Sequence, residues 1–145
     1  MQLKLLSIDE AAQIHQIAQL CHQFPMSFTN IESCFGRFYK VFGYYQDDAL
    51  VGFAVLHRVF EDATLMDICV HPEHQGRGIA QQLIKVLVDT AATEGAERIM
   101  LEVRVSSQRA IALYRYFGFE QVGLRKDYYP LIDGKEDALL MERHL

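Results

Sequence analysis

The stretch Gln75-Gly76-Arg77-Gly78-Ile79-Ala80 joins a strand-like segment to a helix-like one. Before it, residues 63–70 are apolar and rich in strand formers, and His71-Pro72 ends them. After it, apolar residues recur at helical spacing until Gly95, which predicts a helix with one buried face. Glycines let the backbone approach a ligand closely, and the first N–H groups of a helix have no helical partner. The junction is therefore predicted to bind an anion.

We expect this anion to be a pyrophosphate, because several N–H donors and the helix dipole suit a doubly charged group better than a single carboxylate. Arg77 can add a charge-assisted contact. The glycine spacing excludes a mononucleotide P-loop, which ends in Gly-Lys-Ser/Thr, and a Rossmann turn, which needs a third glycine. The alternative is an ordinary strand-to-helix turn, in which Gly76 and Gly78 serve only close packing.

Length and charge narrow the class of protein. The chain has 145 residues, of which 50% are apolar, and this predicts a single domain over residues 1–145. The formal net charge of −5 and the lack of a long basic run argue against direct binding of nucleic acid. The first twenty residues contain no uninterrupted apolar stretch, and no later segment approaches membrane-spanning length. We therefore expect a cytoplasmic protein with no membrane partner.

Cysteine and histidine spacing predicts neither disulfides nor a metal site. Cys21, Cys34 and Cys69 are odd in number and show no Cys-x-x-Cys or Cys/His ligand pattern, so we expect free, mostly buried thiols. His71 and His74 have no third ligand nearby in sequence, so we assign no metal. A nucleophilic role for Cys69 is disfavoured, because the residue lies in a predicted strand, where a buried thiol is expected.

The first half of the chain predicts a strand, two helices and a three-stranded antiparallel meander. The strand covers residues 3–6, and Ser7 and Ser27 are the expected helix caps. The second helix is expected to carry Phe28, Ile31, Phe35 and Phe38 as its apolar positions. The meander is expected to run through residues 41–45, 49–59 and 63–70, with turns at Asp47-Asp48 and Glu61-Asp62.

The second half predicts a parallel crossover followed by a final pair of strands. Residues 98–104 alternate, so that Glu102 lies on the face opposite Ile99, Leu101 and Val103. The intervening helix should make this strand a parallel neighbour of the strand ending at residue 70. Ser106 or Ser107 should cap a helix that carries Tyr114, and strands should follow at residues 119–124 and 138–143. The predicted fold class is α/β (α+β), with a mixed central sheet flanked by helices.

This order of elements, the motif Gln75-x-x-Gly78-x-Ala80 and the motif Tyr-x-x-Phe-Gly-Phe at residues 114–119 resemble the GNAT superfamily of N-acetyltransferases over the whole chain. Residues 101–104, 110–114, 128–130 and 133–138 are similar to the RimI type within that superfamily. Enzymes of the RimI type acetylate the N-terminal alanine of a small-subunit ribosomal protein. The resemblance implies the GNAT fold and acetyl-CoA as cosubstrate.

The resemblance also implies roles for individual residues. Glu102 would accept a proton and Tyr114 would donate one. The backbone of Ile68, Cys69 and Val70 would pair with the pantetheine arm of acetyl-CoA. The pyrophosphate would be held by six consecutive residues, Gly76, Arg77, Gly78, Ile79, Ala80 and Gln81. Ser107 stands where the family usually carries Asn, so a hydroxyl would replace an amide beside the cofactor.

The chemistry of the residues supports these roles independently. Only a neutral amine attacks a thioester, and a partly buried carboxylate such as Glu102 can take its proton directly or through a water. A tyrosine, with an ordinary pKa of about 10, can protonate the leaving thiolate. Backbone N–H groups near Val70 could bind the oxyanion, and no covalent intermediate is needed. The structural alternatives are a surface ion pair of Glu102 with Arg104 and a core role for Tyr114.

The expected acceptor is the N-terminal α-amine of a protein, and the resemblance suggests a ribosomal one. Tyr128 and Tyr129 either line a slot for the first side chain of a peptide or cover the core beside Pro130. Two other functions stay open at this point. One is acetylation of small amines or antibiotics, and the other is a catalytically silent module that binds CoA.

Overall fold

A three-stranded antiparallel meander forms the centre of the sheet in the computed structural model, which describes residues 2–145. Its strands are β2 (Tyr39–Gln46), β3 (Ala49–Val59) and β4 (Asp62–Val70). Asp47 and Asp48 take positive φ angles of 52° and 65° in the tight turn between β2 and β3. The meander is confirmed, but the second turn consists of Phe60 and Glu61, because Asp62 already pairs with Val59.

The other strands complete a seven-stranded mixed sheet in the order β1-β2-β3-β4-β5-β7-β6. They are β1 (Leu3–Leu5), β5 (Arg98–Arg104), β6 (Glu120–Leu131) and β7 (Gly134–His144). Among the strands of residues 2–145, only β4 and β5 are parallel neighbours. β6 and β7 are longer than expected, because their pairing resumes after an irregularity between Arg125 and Tyr129 and continues to Leu131 and Gly134.

Four α-helices cover the two faces of the sheet. They are α1 (Ala11–Cys21), α2 (Phe28–Ser33), α3 (Ile79–Thr93) and α4 (Gln108–Tyr116). The capping box of Ser7 with Glu10 opens a short 3₁₀ turn that leads into α1. The Ser27 side chain caps α2 as predicted, but α2 ends at Ser33, so Phe35 and Phe38 lie beyond the helix. In residues 2–145 no helix is both long and apolar enough to cross a bilayer.

The core lies on both sides of the sheet and sets the position of α3. Leu83, Ile84 and Leu87 of α3 are fully buried against one face of the sheet. Gly52 of β3 lies directly beneath this helix, since a Cβ atom there would approach Ile79 within 3.4 Å. Burial of these apolar faces therefore holds the N-terminus of α3 against the end of β4.

Candidate functional site

A cleft opens between β4 and β5, because the two parallel strands pair over only three positions. Asp62 to Thr64 pair with Arg98 to Met100, and the pairing stops there. Beyond this point β4 stays paired with β3 as far as Val70, whereas β5 stays paired with β7 as far as Arg104. The C-terminal halves of β4 and β5 therefore line a gap at the carboxyl edge, where α/β sheets usually bind ligands.

The backbone of Ile68 and Val70 faces this cleft. His71 N–H donates to the Val51 carbonyl at 2.8 Å, and hydrogen-bonded and non-hydrogen-bonded pairs alternate along an antiparallel ladder. The register places Cys69 opposite Phe53, so the backbone groups of Cys69 point towards β3. Those of Ile68 and Val70 point away from β3. Of the three residues expected to pair with the pantetheine arm, two present backbone groups to the cleft.

The backbone conformation of the glycine turn requires glycine, and the space above it is open. Gly76 and Gly78 have φ angles of 79° and 80°, which other residues rarely adopt. A Cβ atom at Gly76 would meet nothing within 4 Å, and one at Gly78 would come no closer than 3.6 Å to the Gln81 side chain. No packing contact within residues 2–145 therefore fills this space. The turn offers a cradle that a ligand can approach closely.

The donors of the turn point out of the N-terminus of α3. The first helical hydrogen bond runs from Gln82 N–H to the Gly78 carbonyl at 3.2 Å, which leaves the N–H groups of Ile79, Ala80 and Gln81 without helical partners. Arg77 is exposed, and its guanidinium lies 3.4 Å from Nδ1 of His74. These are the groups at which the sequence predicts that an anion binds.

A side-chain hydrogen bond ties the turn to β4. Gln75 Nε2 donates to the Val70 carbonyl at 2.9 Å. This contact fixes the distance between the glycine cradle and the end of the cleft, and it gives the first residue of the motif a structural role. Sequence reasoning had assigned no function to Gln75.

Glu102 lies on the exposed face of β5, as the strand alternation predicted. Its neighbours Leu101 and Val103 are buried on the other face. The carboxylate lies 3.7 Å from the Arg125 guanidinium on β6, and 32% of its side chain is accessible. The expected alternative partner, Arg104, pairs instead with Glu136 at 2.9 Å. Glu102 is therefore accessible at the side of the cleft formed by β5.

Tyr114 lies on α4 and is buried in the hydrophobic core, with only 6% of its surface exposed. Its ring packs edge-on against Phe119 at 6.0 Å between centroids. Burial raises the pKa of the Tyr114 hydroxyl, and the nearby charges of Asp67 and Cys69 raise it further. The hydroxyl therefore stays protonated at neutral pH.

Tyr129 lies in β6 and contacts Arg104 of β5. It is half-buried, and burial together with the Glu102 charge raises its pKa to about 12. Its ring lies 4.6 Å from the Arg104 guanidinium and packs edge-on against Tyr128 at 4.9 Å. Tyr129 is also close enough to Tyr114 to raise the pKa of that hydroxyl. The aromatic pair predicted to line a slot therefore packs against Arg104, which lies two residues from Glu102 in β5.

Ser107 is the N-cap residue of α4, but its hydroxyl makes no capping hydrogen bond. The other predicted cap, Ser106, donates to Glu136 at 3.1 Å. The Ser107 hydroxyl is partly buried and is not used by the helix, so it is available to a ligand.

A cluster of polar side chains lies between the end of α1 and β4, and the sequence analysis did not predict it. His22 Nε2 lies 2.9 Å from the Asp67 carboxylate and 3.0 Å from the Cys69 thiol. The hydrogen bond with Asp67 raises the pKa of His22. The cysteines are free, as expected, but Cys69 has a histidine neighbour that is 47 residues away in sequence. The one available sequence signal was Asp67, a carboxylate within an apolar strand.

Comparison with known proteins shows the family. Residues 9–119 match the acetyltransferase (GNAT) family. The [ribosomal protein bS18]-alanine N-acetyltransferase of Salmonella typhimurium is 37% identical over 139 residues, which cover 96% of this chain and 94% of that protein.

Comparison with solved structures gives the same result as the sequence comparison. The crystal structure of the ribosomal-protein-S18-alanine N-acetyltransferase from Escherichia coli has a TM-score of 0.94 and 34% identity, covering 98% of this chain and 92% of that one. The structure of yncA from Salmonella typhimurium, solved with its cofactor acetyl-CoA, has a TM-score of 0.84, and the match covers 100% of this chain and 94% of that one. Because the two sequences are only 19% identical, this similarity shows the fold alone. The predicted resemblance and fold class are confirmed, and the chain belongs to the acetyltransferase (GNAT) family.

Proposed function

We propose that this protein transfers the acetyl group of acetyl-CoA to the N-terminal α-amine of a protein, with the N-terminal alanine of ribosomal protein bS18 as its acceptor. The observation that carries the proposal is the 37% identity over 96% of the chain to an enzyme with that named activity. A ribosomal acceptor implies that the enzyme acts in the cytoplasm.

The glycine turn and the cleft suit acetyl-CoA. The open cradle at Gly76 and Gly78 leaves room for a pyrophosphate against the free N–H groups of Ile79, Ala80 and Gln81. Arg77 is exposed beside it and supplies a positive charge. The cleft-facing backbone of β4 would then pair with the pantetheine arm, and the Ser107 hydroxyl would serve as a further contact.

In the proposed mechanism the acceptor nitrogen attacks the thioester carbonyl carbon directly. Glu102 takes the proton from the amine, either directly or through a water. The Val70 N–H, which lies outside the β3–β4 ladder, stabilises the oxyanion of the tetrahedral intermediate. The carbon–sulfur bond then breaks, and the Tyr114 hydroxyl protonates the CoA thiolate. Burial keeps Tyr114 in the protonated form that this step needs.

A basic acceptor tail suits the charge of the protein. The formal net charge is −5, and exposed acidic residues lie at turns throughout the chain. Complementary charge speeds the encounter of two proteins, and salt screens it. We expect a peptide that begins with alanine and continues with basic residues to react faster at low than at high salt.

The deciding experiment compares two peptides that differ only at the N-terminus. One begins with a free alanine amine and the other has that amine blocked, and both keep the same lysines. We expect CoA release and a single acetyl group on the α-amine of the free peptide, and no reaction with the blocked one. Acetyl groups mapped to lysine side chains by mass spectrometry, or turnover only with small amines, would contradict the proposal.

A further inference from the structure

Three potential metal ligands, His22, Asp67 and Cys69, meet where the end of α1 contacts β4. His22 Nε2, Asp67 Oδ1 and Cys69 Sγ form a triangle with sides of 2.9, 3.0 and 3.7 Å. The neighbouring Cys21 thiol donates to the Val70 carbonyl at 3.1 Å instead. None of the three cluster side chains has a role in the proposed acetyl transfer.

The geometry is that of converging ligands and not of a catalytic relay. In a Cys-His-Asp relay the carboxylate orients one ring nitrogen while the other nitrogen activates the thiol. Here the carboxylate and the thiol both contact the same nitrogen, Nε2 of His22.

We infer that His22, Asp67 and Cys69 form a binding site for a divalent zinc ion. Zinc bonds of about 2.0–2.3 Å in a tetrahedron place neighbouring ligand atoms roughly 3.3–3.8 Å apart. The observed triangle needs to open by only a few tenths of an ångström on two sides. A thiolate, an imidazole and a carboxylate are ligand types that zinc accepts, and a water can occupy the fourth position of the tetrahedron.

The surroundings hold the ligands in place and leave a path for the ion. Asp67 Oδ1 accepts a hydrogen bond from Ile68 N–H at 2.9 Å, which orients the carboxylate. Cys69 is 4% exposed and belongs to the core formed with α1 and α2. The His22 side chain is 39% exposed, so an ion can enter from its side. The bound ion would join α1 to the strand that lines the acetyl-CoA cleft.

The experiment uses the full chain, reduced and freed of metal with EDTA, which is then removed. Zinc is titrated without acetyl-CoA, and the melting temperature is followed, because an ion that binds the folded state stabilises it. Cobalt is used in parallel as a spectroscopic probe, since thiolate ligands produce a charge-transfer band. We expect one equivalent of zinc to raise the melting temperature and cobalt to produce the band.

Variants test the ligands separately from folding. His22→Gln removes a partly exposed ligand and should weaken zinc binding by roughly tenfold or more, and Cys69→Ser should abolish the cobalt band. Cys34→Ala, a buried thiol outside the cluster, and the double variant His71→Gln/His74→Gln are the controls and should keep the full response. An unchanged zinc response in His22→Gln, or no response in the wild type, would overturn the inference. Neither outcome depends on acetyl transfer.

Discussion

The Glu102 carboxylate lies 3.7 Å from the Arg125 guanidinium, which reaches it from β6 across the intervening strand β7. Arg104, two residues from Glu102 in the same strand, pairs with Glu136 instead. The ion pair with Arg125, from a separate strand, therefore holds the accessible Glu102 carboxylate beside the cleft. This ion pair is partly exposed, so it contributes little to stability.

Substitution Glu102→Gln should lower turnover with an N-terminal peptide by roughly 10²–10⁴-fold at neutral pH, because the amine loses its proton acceptor. The affinity for acetyl-CoA should stay nearly unchanged, since the proposed contacts to the cofactor are backbone groups of β4 and the turn. Part of the loss should be recovered at high pH, where more amine is already neutral. Steady-state kinetics and cofactor titration measure both. Glu120→Gln, an exposed carboxylate on β6, is the control, and an unchanged rate for Glu102→Gln would remove this residue from the mechanism.

Substitution Tyr114→Phe should reduce kcat while the fold is retained, because the ring still fills the core and only the hydroxyl is lost. The raised pKa of Tyr114 means that the wild-type hydroxyl stays protonated above the pH at which an ordinary tyrosine ionises. The wild-type rate should therefore not fall through ionisation of this group up to pH ~10. Tyr116→Phe on the same helix, where the side chain is 80% exposed, should leave kcat unchanged. Equal effects of the two substitutions would count against a role for Tyr114.

The two possible roles of Gly78 are separated by Gly78→Asn. Asn tolerates a positive φ better than most other non-glycine residues, so the free energy of unfolding should change little. Its side chain, however, enters the open space of the cradle. Acetyl-CoA binding should weaken at least tenfold in calorimetric titration. Gly95→Asn is the matched control, with a φ of 93° and equally open space at the other end of α3. Normal binding by Gly78→Asn would mean that this glycine serves only the backbone turn.

The end of α3 is held by an ion-pair network that should make stability depend on pH. Partial burial raises the pKa of Glu94, but hydrogen bonds from Lys40 and Arg58 outweigh this and lower it overall. A lowered folded-state pKa stabilises the protein above the unfolded value of about 4.3, and this stabilisation is lost as the pH falls through the folded-state pKa. Glu94→Gln should therefore cost about 1 kcal/mol or less at pH 7 and nothing in strong acid.

Urea unfolding of the wild type and the Glu94→Gln variant at both pH values measures this difference. Glu97→Gln, an exposed carboxylate close by in sequence, should show no pH-dependent difference from the wild type. A Glu94→Gln penalty that persists unchanged in acid would show that the side chain acts through packing and not through charge.

Local patterns in the sequence determined much of the fold. The meander, the helix after the glycine turn and the strand that carries Glu102 could be predicted, because alternation and helical spacing report burial within a single element. The helix cap at Ser27 followed from its residue type in the same way. The end of α2 at Ser33 could not be predicted, because apolar residues at helical spacing continue to Phe35 and Phe38. The length of β6 could not be predicted either, because a polar stretch from Arg125 to Asp127 interrupts the strand pattern, whereas the pairing with β7 resumes at Tyr129 after a register shift.

The sequence by itself also determined the identity of Gly76, Gly78, Glu102 and Tyr114 as candidate site residues. Only the tertiary structure decided where β4 and β5 part, which arginine pairs with Glu102, and that Tyr129 packs against Arg104. It alone brought His22 to Cys69, 47 residues away. Contacts of this kind depend on strand register and on the reach of side chains from separate elements, and no periodicity within one segment encodes them.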